Sequence, residues 1–120
     1  MPKQTVKASK YGNKKVVYKG ETFDSHRELK RWKELELLDN SGKIFDLCRQ
    51  VKFELVPKQQ DKNGKAIRSV NYVADFVYKQ LLPDGSVELV VEDAKGFKTD
   101  AYKMKWKLMK QVHNIEVREV

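Results

Sequence analysis

The centre of the sequence reads as a series of β-strands joined by tight turns, and this pattern limits the fold more than any other feature. Apolar and polar residues alternate in three stretches, as they do in strands that turn one face to a core. Glycine, asparagine, aspartate and proline residues between the stretches favour turns. The predicted strands cover residues 51–55, 66–79 and 87–95, and the predicted turns cover residues 61–64 and 83–85.

Two helices are predicted on either side of these strands. The spacing of Ser25 and Glu28 fits a capping box, so a first helix is expected to begin there and to end near Leu38. Thr99 is placed to cap a second helix over residues 100–113. Both segments carry apolar residues at helical spacing, which predicts one buried face on each.

A last strand is predicted to open with residues 115–117, so the order of elements is α-β-β-β-α-β. The lysine-rich residues 1–20 are interpreted as a basic N-terminal arm that contains one short strand, residues 16–18. Residues 21–120 are long enough for one domain with one core. The sequence therefore predicts a basic arm followed by a single α/β domain.

The composition narrows the class of protein. The 120 residues carry a net charge of +8, which favours a polyanionic partner, nucleic acid before an anionic membrane. One cysteine and two histidines are too few for a zinc finger, and a lone cysteine fits a reducing cytoplasm. No stretch approaches the roughly 20 apolar residues of a membrane span, and the N-terminus lacks the apolar segment of a secretory signal.

Charged residues occupy positions that the apolar pattern assigns to the interior. With a period of two, Asp75 lies between two valines, and Asp93 and Lys95 follow Val87, Leu89 and Val91 on one strand face. On the helices, Glu28 and Lys105 fall within the apolar arcs. The arc of the second helix comprises Ala101, Tyr102, Met104, Leu108, Met109 and Val112. The hairpin between the second and third strands is expected to bring Asp75 and Asp93 together.

Such charges need compensation, because an unpaired buried charge costs several kcal/mol and a domain has only ~5–15 kcal/mol of stability. Two neighbouring carboxylates repel each other, and a divalent cation relieves the repulsion. Oxygen ligands suit Mg²⁺ or Mn²⁺ better than zinc. Glu92 is expected to face the side opposite to Asp93 and to be structural.

Each of the other charges also has a structural interpretation. In this interpretation Glu28 is the capping-box acid and nothing more, and Asp75 is a charge at a frayed sheet edge. Asp93 can form an ion pair with Lys95 or Lys105. The ammonium group of Lys105 can also extend to solvent along its aliphatic stem.

Asp75, followed by the triplet Asp93-Ala94-Lys95 at the end of the next strand, resembles the PD-(D/E)XK nuclease superfamily, which has the restriction-endonuclease-like fold. The stretches that carry the resemblance are KYGNKK, FDSHRELKRWKELELL, RQVKFEL, YVADFVY and VVEDAKGFKTDAYKMKWKL. They are similar to small phage-encoded proteins catalogued as a family of unknown function. Ala74 precedes Asp75 where the superfamily name has proline. The resemblance implies an αβββαβ core with a mixed four-stranded central sheet flanked by helices.

The resemblance also implies roles for individual residues. Asp75 and Asp93 correspond to metal-binding carboxylates, and the backbone carbonyl of Ala94 to a further ligand. Lys95 corresponds to the lysine that contacts the scissile phosphate or the attacking water. Glu28 corresponds to a helix glutamate that joins the metal site directly or through water. The implied cofactor is Mg²⁺ or Mn²⁺.

A second group of residues is expected to contact DNA. Gln50 resembles a glutamine found before the first core strand of such nucleases, and Tyr102 and Lys105 resemble helix residues that face the phosphate. The basic arm, the loop over residues 58–68 and the outer lysines of the second helix would hold the phosphate backbone without reading its sequence. The individual lysines expected to do so include Lys14, Lys15 and Lys98.

The resulting hypothesis is a metal-dependent DNA endonuclease that hydrolyses phosphodiester bonds in phage recombination, replication or packaging. Its location would be the cytoplasm of a phage-infected or prophage-bearing bacterium, with DNA as partner, no membrane contact, and a homodimer as one option for cutting both strands. The alternatives are a non-catalytic basic DNA-binding domain and an interaction module on a degenerate nuclease fold. In the first alternative the acids only pair with lysines. The second predicts weak, strongly salt-dependent DNA affinity and a tight protein partner.

Overall fold

The turn and strand signals of the sequence are realised in a mixed α/β fold. The computed structural model describes residues 14–120. Its helices are α1 (His26–Asn40) and α2 (Asp100–His113). Its strands are β1 (Val16–Tyr18), β2 (Glu21–Phe23), β3 (Ile44–Val56), β4 (Gln59–Gln60), β5 (Ala66–Ile67), β6 (Val70–Leu81), β7 (Val87–Asp93) and β8 (Arg118–Glu119).

Four strands form the central sheet, in the order β3-β6-β7-β8. The first three are antiparallel neighbours, and β8 runs parallel to β7, so the sheet is mixed. Along the chain these strands alternate with the helices as α1-β3-β6-β7-α2-β8. The predicted order of principal elements and the predicted four-stranded mixed sheet are confirmed.

Two apolar clusters hold the helices on this sheet. Leu35 of α1 lies in a cluster with Ile44, Phe76, Tyr78 and Val90. Tyr102 and Met109 of α2 lie in the other, with Leu55, Tyr72, Ala74, Val91 and Val117. The end of β7 therefore contributes to both clusters, which leaves four consecutive residues, 90–93, buried.

The helix ends follow the capping signals. The Ser25 hydroxyl accepts a hydrogen bond from the Glu28 N–H, and the Thr99 hydroxyl accepts one from the Tyr102 N–H. Each bond satisfies a backbone donor that the first turn of a helix leaves unpaired. At the other end of α2, Asn114 takes a left-handed conformation, and its N–H bonds to Lys110 O. Both predicted helices are confirmed, and α1 extends two residues further than expected.

All four predicted core strands have different bounds in the structure. The strand expected over residues 66–79 is divided into β5 and β6, and the strand expected over residues 87–95 ends at Asp93. The strand expected over residues 51–55 begins at Ile44, because the chain continues to pair with β6 through a stretch in which Asp46 and Gln50 have positive φ. Two polar residues with positive φ obscure the alternation there. The last strand, expected to open with residues 115–117, begins instead at Arg118, because residues 115–117 first lead away from the end of α2.

Two predicted apolar faces are also partly wrong. Val87 and Leu89 are about half exposed, because no helix covers the start of β7 in the described residues. Met104 and Val112 are exposed on α2, whose buried residues are Tyr102 and Met109. The helix is therefore rotated so that Trp106, which is half-buried, lies nearer the sheet than expected, and Lys105 is half-buried as the arc predicted.

Two small hairpins lie outside the central sheet. β1 pairs with β2 and contacts α1, so the folded region begins before residue 21; residues 1–13 of the predicted arm lie outside the described residues. β4 pairs with β5 around the predicted turn at residues 61–64. Within residues 14–120, neither helix has the length and apolar character needed to cross a membrane.

Candidate functional site

The two predicted metal-binding aspartates meet where β6 and β7 pair. Phe76 pairs with Glu92 and Val77 with Val91, so the same register places Asp75 opposite Asp93. β6 is an inner strand, which excludes a frayed sheet edge as the reason for Asp75. The prediction that the hairpin brings Asp75 and Asp93 together is confirmed.

Asp93 is buried with only part of its hydrogen-bonding capacity used. Its side chain is 1 % exposed, and Oδ2 accepts a 2.5 Å hydrogen bond from the Tyr72 hydroxyl. Oδ1 has no hydrogen-bond partner within residues 14–120 and lies 3.8 Å from Lys95 Nζ. Burial, together with the hydrogen bond to Asp93, raises the pKa of Tyr72, so its hydroxyl stays protonated as a donor. One oxygen of a buried carboxylate is therefore left without a hydrogen bond.

Asp75 is half-buried between two donors and a second acid. Its Oδ2 accepts a 2.8 Å hydrogen bond from the Ala94 N–H, and its Oδ1 accepts one of 3.2 Å from the Gln50 amide. Burial raises the pKa of Asp75 to about 7, and contact with Asp93 adds to the effect. The Ala94 N–H and the charge of Lys95 act in the opposite direction without reversing the shift. Asp75 is thus held where it gains and loses a proton near neutral pH.

Glu28, at the start of α1, connects to Asp75 through Gln50. Its Oε1 accepts a hydrogen bond from the Asp24 N–H, and its Oε2 accepts from Arg49 and from the Gln50 amide, each at 3.2 Å. Burial raises the pKa of Glu28, and the nearby charge of Asp75 raises it further. Both oxygens are occupied by protein donors. The Ser25 half of the predicted capping box is formed, but the Glu28 carboxylate accepts from the N–H of Asp24 rather than from that of Ser25. A role of Glu28 as metal ligand stays a prediction.

Gln50 links two of the acids rather than facing solvent alone. Its amide nitrogen lies 3.2 Å from Glu28 Oε2 and 3.2 Å from Asp75 Oδ1. Its backbone has φ of +54°, a left-handed conformation that costs of order 1 kcal/mol in a non-glycine residue. A strained backbone that directs an amide at two carboxylates is a feature typical of functional sites.

Lys95 brings a positive charge to this site. Its ammonium lies 3.8 Å from Asp93 Oδ1 and 5.2 Å from the centre of the Tyr102 ring. Its side chain is 35 % exposed, so the charge can reach a ligand entering from solvent. The ion pair with Asp93 compensates part of that acid's charge, as one structural interpretation predicted.

The other residues of α2 and its approach that are predicted to contact phosphate differ in their partners. The Tyr102 hydroxyl donates to Glu119, which also pairs with Lys98 at 2.8 Å. Burial raises the pKa of Tyr102, so it too remains a hydrogen-bond donor. Lys105 is half-buried and makes no hydrogen bond or ion pair with the described residues, which leaves its predicted phosphate contact untested.

The N-terminal lysines are only partly described. Lys15 forms a 2.8 Å ion pair with Asp24, and both side chains are about 70 % exposed. Lys14 is exposed. Asp24 in turn lines the cleft described below, so the beginning of the described chain lies near it.

A cleft of about 190 Å³ opens over the acids. It is lined by Asp24, Ser25, Glu28, Asp75, Ala94, Lys95, Gly96, Phe97 and Thr99. Three of the four predicted catalytic residues line it directly, and the fourth, Asp93, lies in contact with Asp75 beneath them. α2 begins at its rim, and the N-terminus of a helix favours an anion.

The donor set fits a hard divalent cation. No cluster of three or more histidine, cysteine, aspartate or glutamate side chains is assembled for a metal ion anywhere in residues 14–120. Mg²⁺ needs less than such a cluster, because it commonly binds through one or two carboxylates and keeps several waters. The Asp75–Asp93 pair offers two carboxylates, one of them with an oxygen that lacks a hydrogen bond.

Sequence reasoning missed three residues of the site. Tyr72 was assigned to the opposite strand face from Asp75, yet its hydroxyl reaches Asp93. Arg49 pairs with Glu28 and lies 3.7 Å above the Phe23 ring, which fixes the carboxylate from the far side. Glu119 joins Tyr102 and Lys98. The position of Arg49 next to Gln50 was the one available signal for it; neither Tyr72 nor Glu119 had one.

A small α/β protein with paired acids and a lysine at one cleft is the class that the fold and site define. The chain belongs to the family described as "Protein of unknown function (DUF1064)", which matches residues 8–119. Comparison with curated proteins and comparison with solved structures each gave no match. The family description assigns no activity, so the function must be argued from the site.

Proposed function

We propose that this protein is a metal-dependent DNA endonuclease that hydrolyses phosphodiester bonds, built on a restriction-endonuclease-like αβββαβ core. The observation that carries the proposal is the meeting of Asp75 and Asp93 beside Lys95 at one cleft. A net charge of +8 favours a polyanionic substrate. A part in phage DNA recombination, replication or packaging remains a prediction.

The cofactor would be Mg²⁺ or Mn²⁺, held by the carboxylates of Asp75 and Asp93 and by the backbone carbonyl of Ala94. When bound, such an ion polarises a phosphoryl oxygen and lowers the pKa of a bound water. Two acids in contact provide the negative charge that it requires. The carboxylate pair must lose its proton to bind the ion, and the pKa of Asp75, about 7, makes that loss accessible near neutral pH.

Lys95 would stabilise the negative charge that grows on the phosphate and orient the attacking water. It is 35 % exposed, so it can reach a phosphate while it remains near Asp93. The N-terminus of α2 at the rim adds a favourable dipole. Gln50 and Glu28 are positioning residues, because the Gln50 amide bonds to Asp75 and is itself held by Glu28.

A non-catalytic DNA-binding domain is the competing function. It is favoured by the 3.8 Å contact of Lys95 with Asp93, which already compensates part of the acidic charge. On that account the acids and the lysine stabilise one another, and divalent cations are irrelevant. The two functions therefore predict different effects of removing one acid. A nuclease would lose metal-dependent cleavage, whereas a DNA-binding domain would lose a stabilising ion pair.

The test is a cleavage assay on labelled single-stranded, duplex, flapped and branched DNA with Mg²⁺ or Mn²⁺. Wild type should cut at least one of these substrates. Asp75→Asn, Asp93→Asn and Lys95→Ala should each lower the rate by at least about 100-fold while DNA binding is largely retained, because each removes transition-state stabilisation rather than phosphate-backbone contacts.

The chain offers a matched control on the same sheet. Asp46 and Lys79 form an exposed 3.2 Å ion pair, and Lys79 lies four residues, or roughly 13 Å, along β6 from Asp75. Asp46→Asn and Lys79→Ala should therefore cut at the wild-type rate. The nuclease proposal is overturned if wild type cuts none of the DNA forms with either ion.

A further inference from the structure

A second cavity lies along α2. It has a volume of about 320 Å³, within the range of small-ligand pockets. It is lined by Lys98, Tyr102, Lys103, Trp106, Lys107 and Glu119. We call it the α2 groove. Glu28, Asp75 and Asp93 do not line it.

Tyr102 lines the α2 groove and also contacts residues of the cleft. Its ring lies 5.2 Å from the ammonium of Lys95, which lines the cleft, and its hydroxyl bonds to Glu119 in the groove. Its N–H bonds to Thr99, another residue of the cleft. A chain-like ligand whose reacting atom lies near Lys95 would therefore pass over Tyr102 into the groove.

The charge of the groove suits a phosphate-bearing ligand. Lys98 is paired with Glu119 at 2.8 Å, whereas Lys103 and Lys107 make no ion pair with any residue between 14 and 120. Three lysines and one glutamate leave a net charge of +2 in the groove. Lys103 and Lys107 are four residues apart on α2, so both ammonium groups lie on one side of the helix.

The groove also contains an oriented aromatic ring. Trp106 is half-buried, and its indole N–H donates a 2.9 Å hydrogen bond to the carbonyl of Val117, which fixes the ring. Aromatic side chains beside a basic track are the chemistry of sites that bind unpaired nucleotides. A base inside a duplex is stacked on its neighbours, so only an unpaired base can leave to contact the indole.

We infer that the α2 groove binds an unpaired nucleotide next to the scissile phosphate, with Lys103 and Lys107 on the phosphate backbone and Trp106 against the base. The inference rests on the proposed function for the position of the scissile bond. It narrows the substrate to DNA with a single-stranded region at the cut, such as a single strand, a flap or a junction.

The test measures binding without cleavage. Fluorescence anisotropy in EDTA compares the affinity for a labelled single-stranded oligonucleotide with that for a duplex of the same sequence. Wild type should bind the single strand more tightly. Trp106→Leu should weaken single-strand binding about fivefold or more with little effect on the duplex, because it removes stacking on the base. Trp106→Phe, which keeps a ring, should retain most of the affinity.

Removal of Lys103 and Lys107 should change the salt dependence of DNA binding, which the tryptophan variants should not. The double variant Lys103→Ala/Lys107→Ala should weaken binding to the single strand and lower the slope of log affinity against log salt by about 1.4, or roughly 0.7 for each phosphate contact. The control is Lys43→Ala/Lys52→Ala, which removes the same charge from exposed positions outside the groove. That variant should change the slope by less than half as much.

A direct signal from the indole guards against loss of folding in the variants. Trp32→Phe leaves Trp106 as the only tryptophan, since the chain has two. Its fluorescence should be quenched when the unlabelled single strand binds in EDTA, and the duplex should quench it less. Equal quenching by both DNA forms, or none by either, overturns the inference.

The inference and the proposed function fail in distinguishable ways. If wild type cuts no DNA but Trp106→Leu selectively loses single-strand binding, the nuclease proposal fails and the nucleotide site stands. If wild type cuts DNA but Trp106→Leu and the double lysine variant bind both DNA forms as wild type does, the nucleotide site is overturned and the nuclease stands.

Discussion

Glu92 and Asp93 are consecutive buried acids, 0 % and 1 % exposed, in opposite electrostatic situations. Glu92 is bound by Arg31 through two hydrogen bonds of 2.8 Å and 2.7 Å, accepts another from Tyr78, and lies 4.0 Å from Arg118. Within residues 14–120 the Asp93 side chain accepts one hydrogen bond, has a lysine 3.8 Å away, and lies against Asp75.

The difference shows that burial alone does not mark a functional acid. A bidentate arginine–carboxylate pair satisfies Glu92 within the protein, so it needs nothing else. The Asp75–Asp93 pair keeps excess negative charge and an oxygen without a hydrogen bond. An acid that the fold compensates is structural, whereas an acid that the fold leaves uncompensated is available to a ligand. Four experiments follow from this comparison.

The largest effect is expected from Glu92→Gln, which should lower the free energy of unfolding by about 3 kcal/mol because Arg31 loses its buried partner. Thermal unfolding should show a melting temperature at least ~10 °C below wild type. Glu34→Gln, which removes the exposed partner of Arg31, is the control and should have little effect. A wild-type melting temperature for Glu92→Gln would remove the distinction between the two acids.

A smaller loss is expected from Tyr72→Phe. The change removes the donor to Asp93 Oδ2 and leaves the buried carboxylate less solvated, which should cost about 1–2 kcal/mol. Chemical unfolding in urea at pH 8 with EDTA is the measurement. Tyr18→Phe, whose hydroxyl bonds to Glu36 at 3.2 Å in a less buried place, is the control. Equal costs for the two variants would mean that Asp93 does not depend on this bond.

Asp75→Asn is expected to raise the stability of the metal-free protein at pH 8, whereas the two variants above lower stability. The pKa of Asp75 is raised from 3.8 to about 7, so the folded protein holds a proton that the unfolded chain loses between those values. Stability from this group is complete below pH 4 and falls as the pH rises to 7. In EDTA at pH 8 the variant should therefore melt roughly 5 °C above wild type, with little difference at pH 4. A lower melting temperature at pH 8 would show that Asp75 is compensated.

Much of this comparison could be reached from the sequence, because it depends on local patterns. The capping residues Ser25 and Thr99 fixed the starts of both helices, and the hairpin before β7 predicted the meeting of Asp75 and Asp93. Glu92 was correctly separated from Asp93 by strand alternation. Each of these inferences needs only neighbours along the chain or across one turn.

The features of the site that the sequence did not predict depend on contacts between segments that are distant along the chain. The contact of Gln50 with phosphate stays a prediction. Its bridge between Glu28 and Asp75 was not predicted, because it depends on a positive φ that redirects the chain within β3. Tyr72 crosses to Asp93 against the simple alternation of faces. The exposure of Met104 depends on the rotation of α2 about its axis, which is set by packing against the sheet and not by the apolar arc alone.

The most direct test of the central claim is titration of the metal-free protein with Mn²⁺ by calorimetry at pH 8 and at pH 5.5. We expect saturable binding to wild type at pH 8 and weaker binding at pH 5.5, because Asp75 holds its proton there. Binding should be lost in Asp93→Asn but not in Glu92→Gln, measured at a temperature where that variant is folded. Absence of saturable binding at pH 8, or equal binding by Asp93→Asn, would contradict that claim.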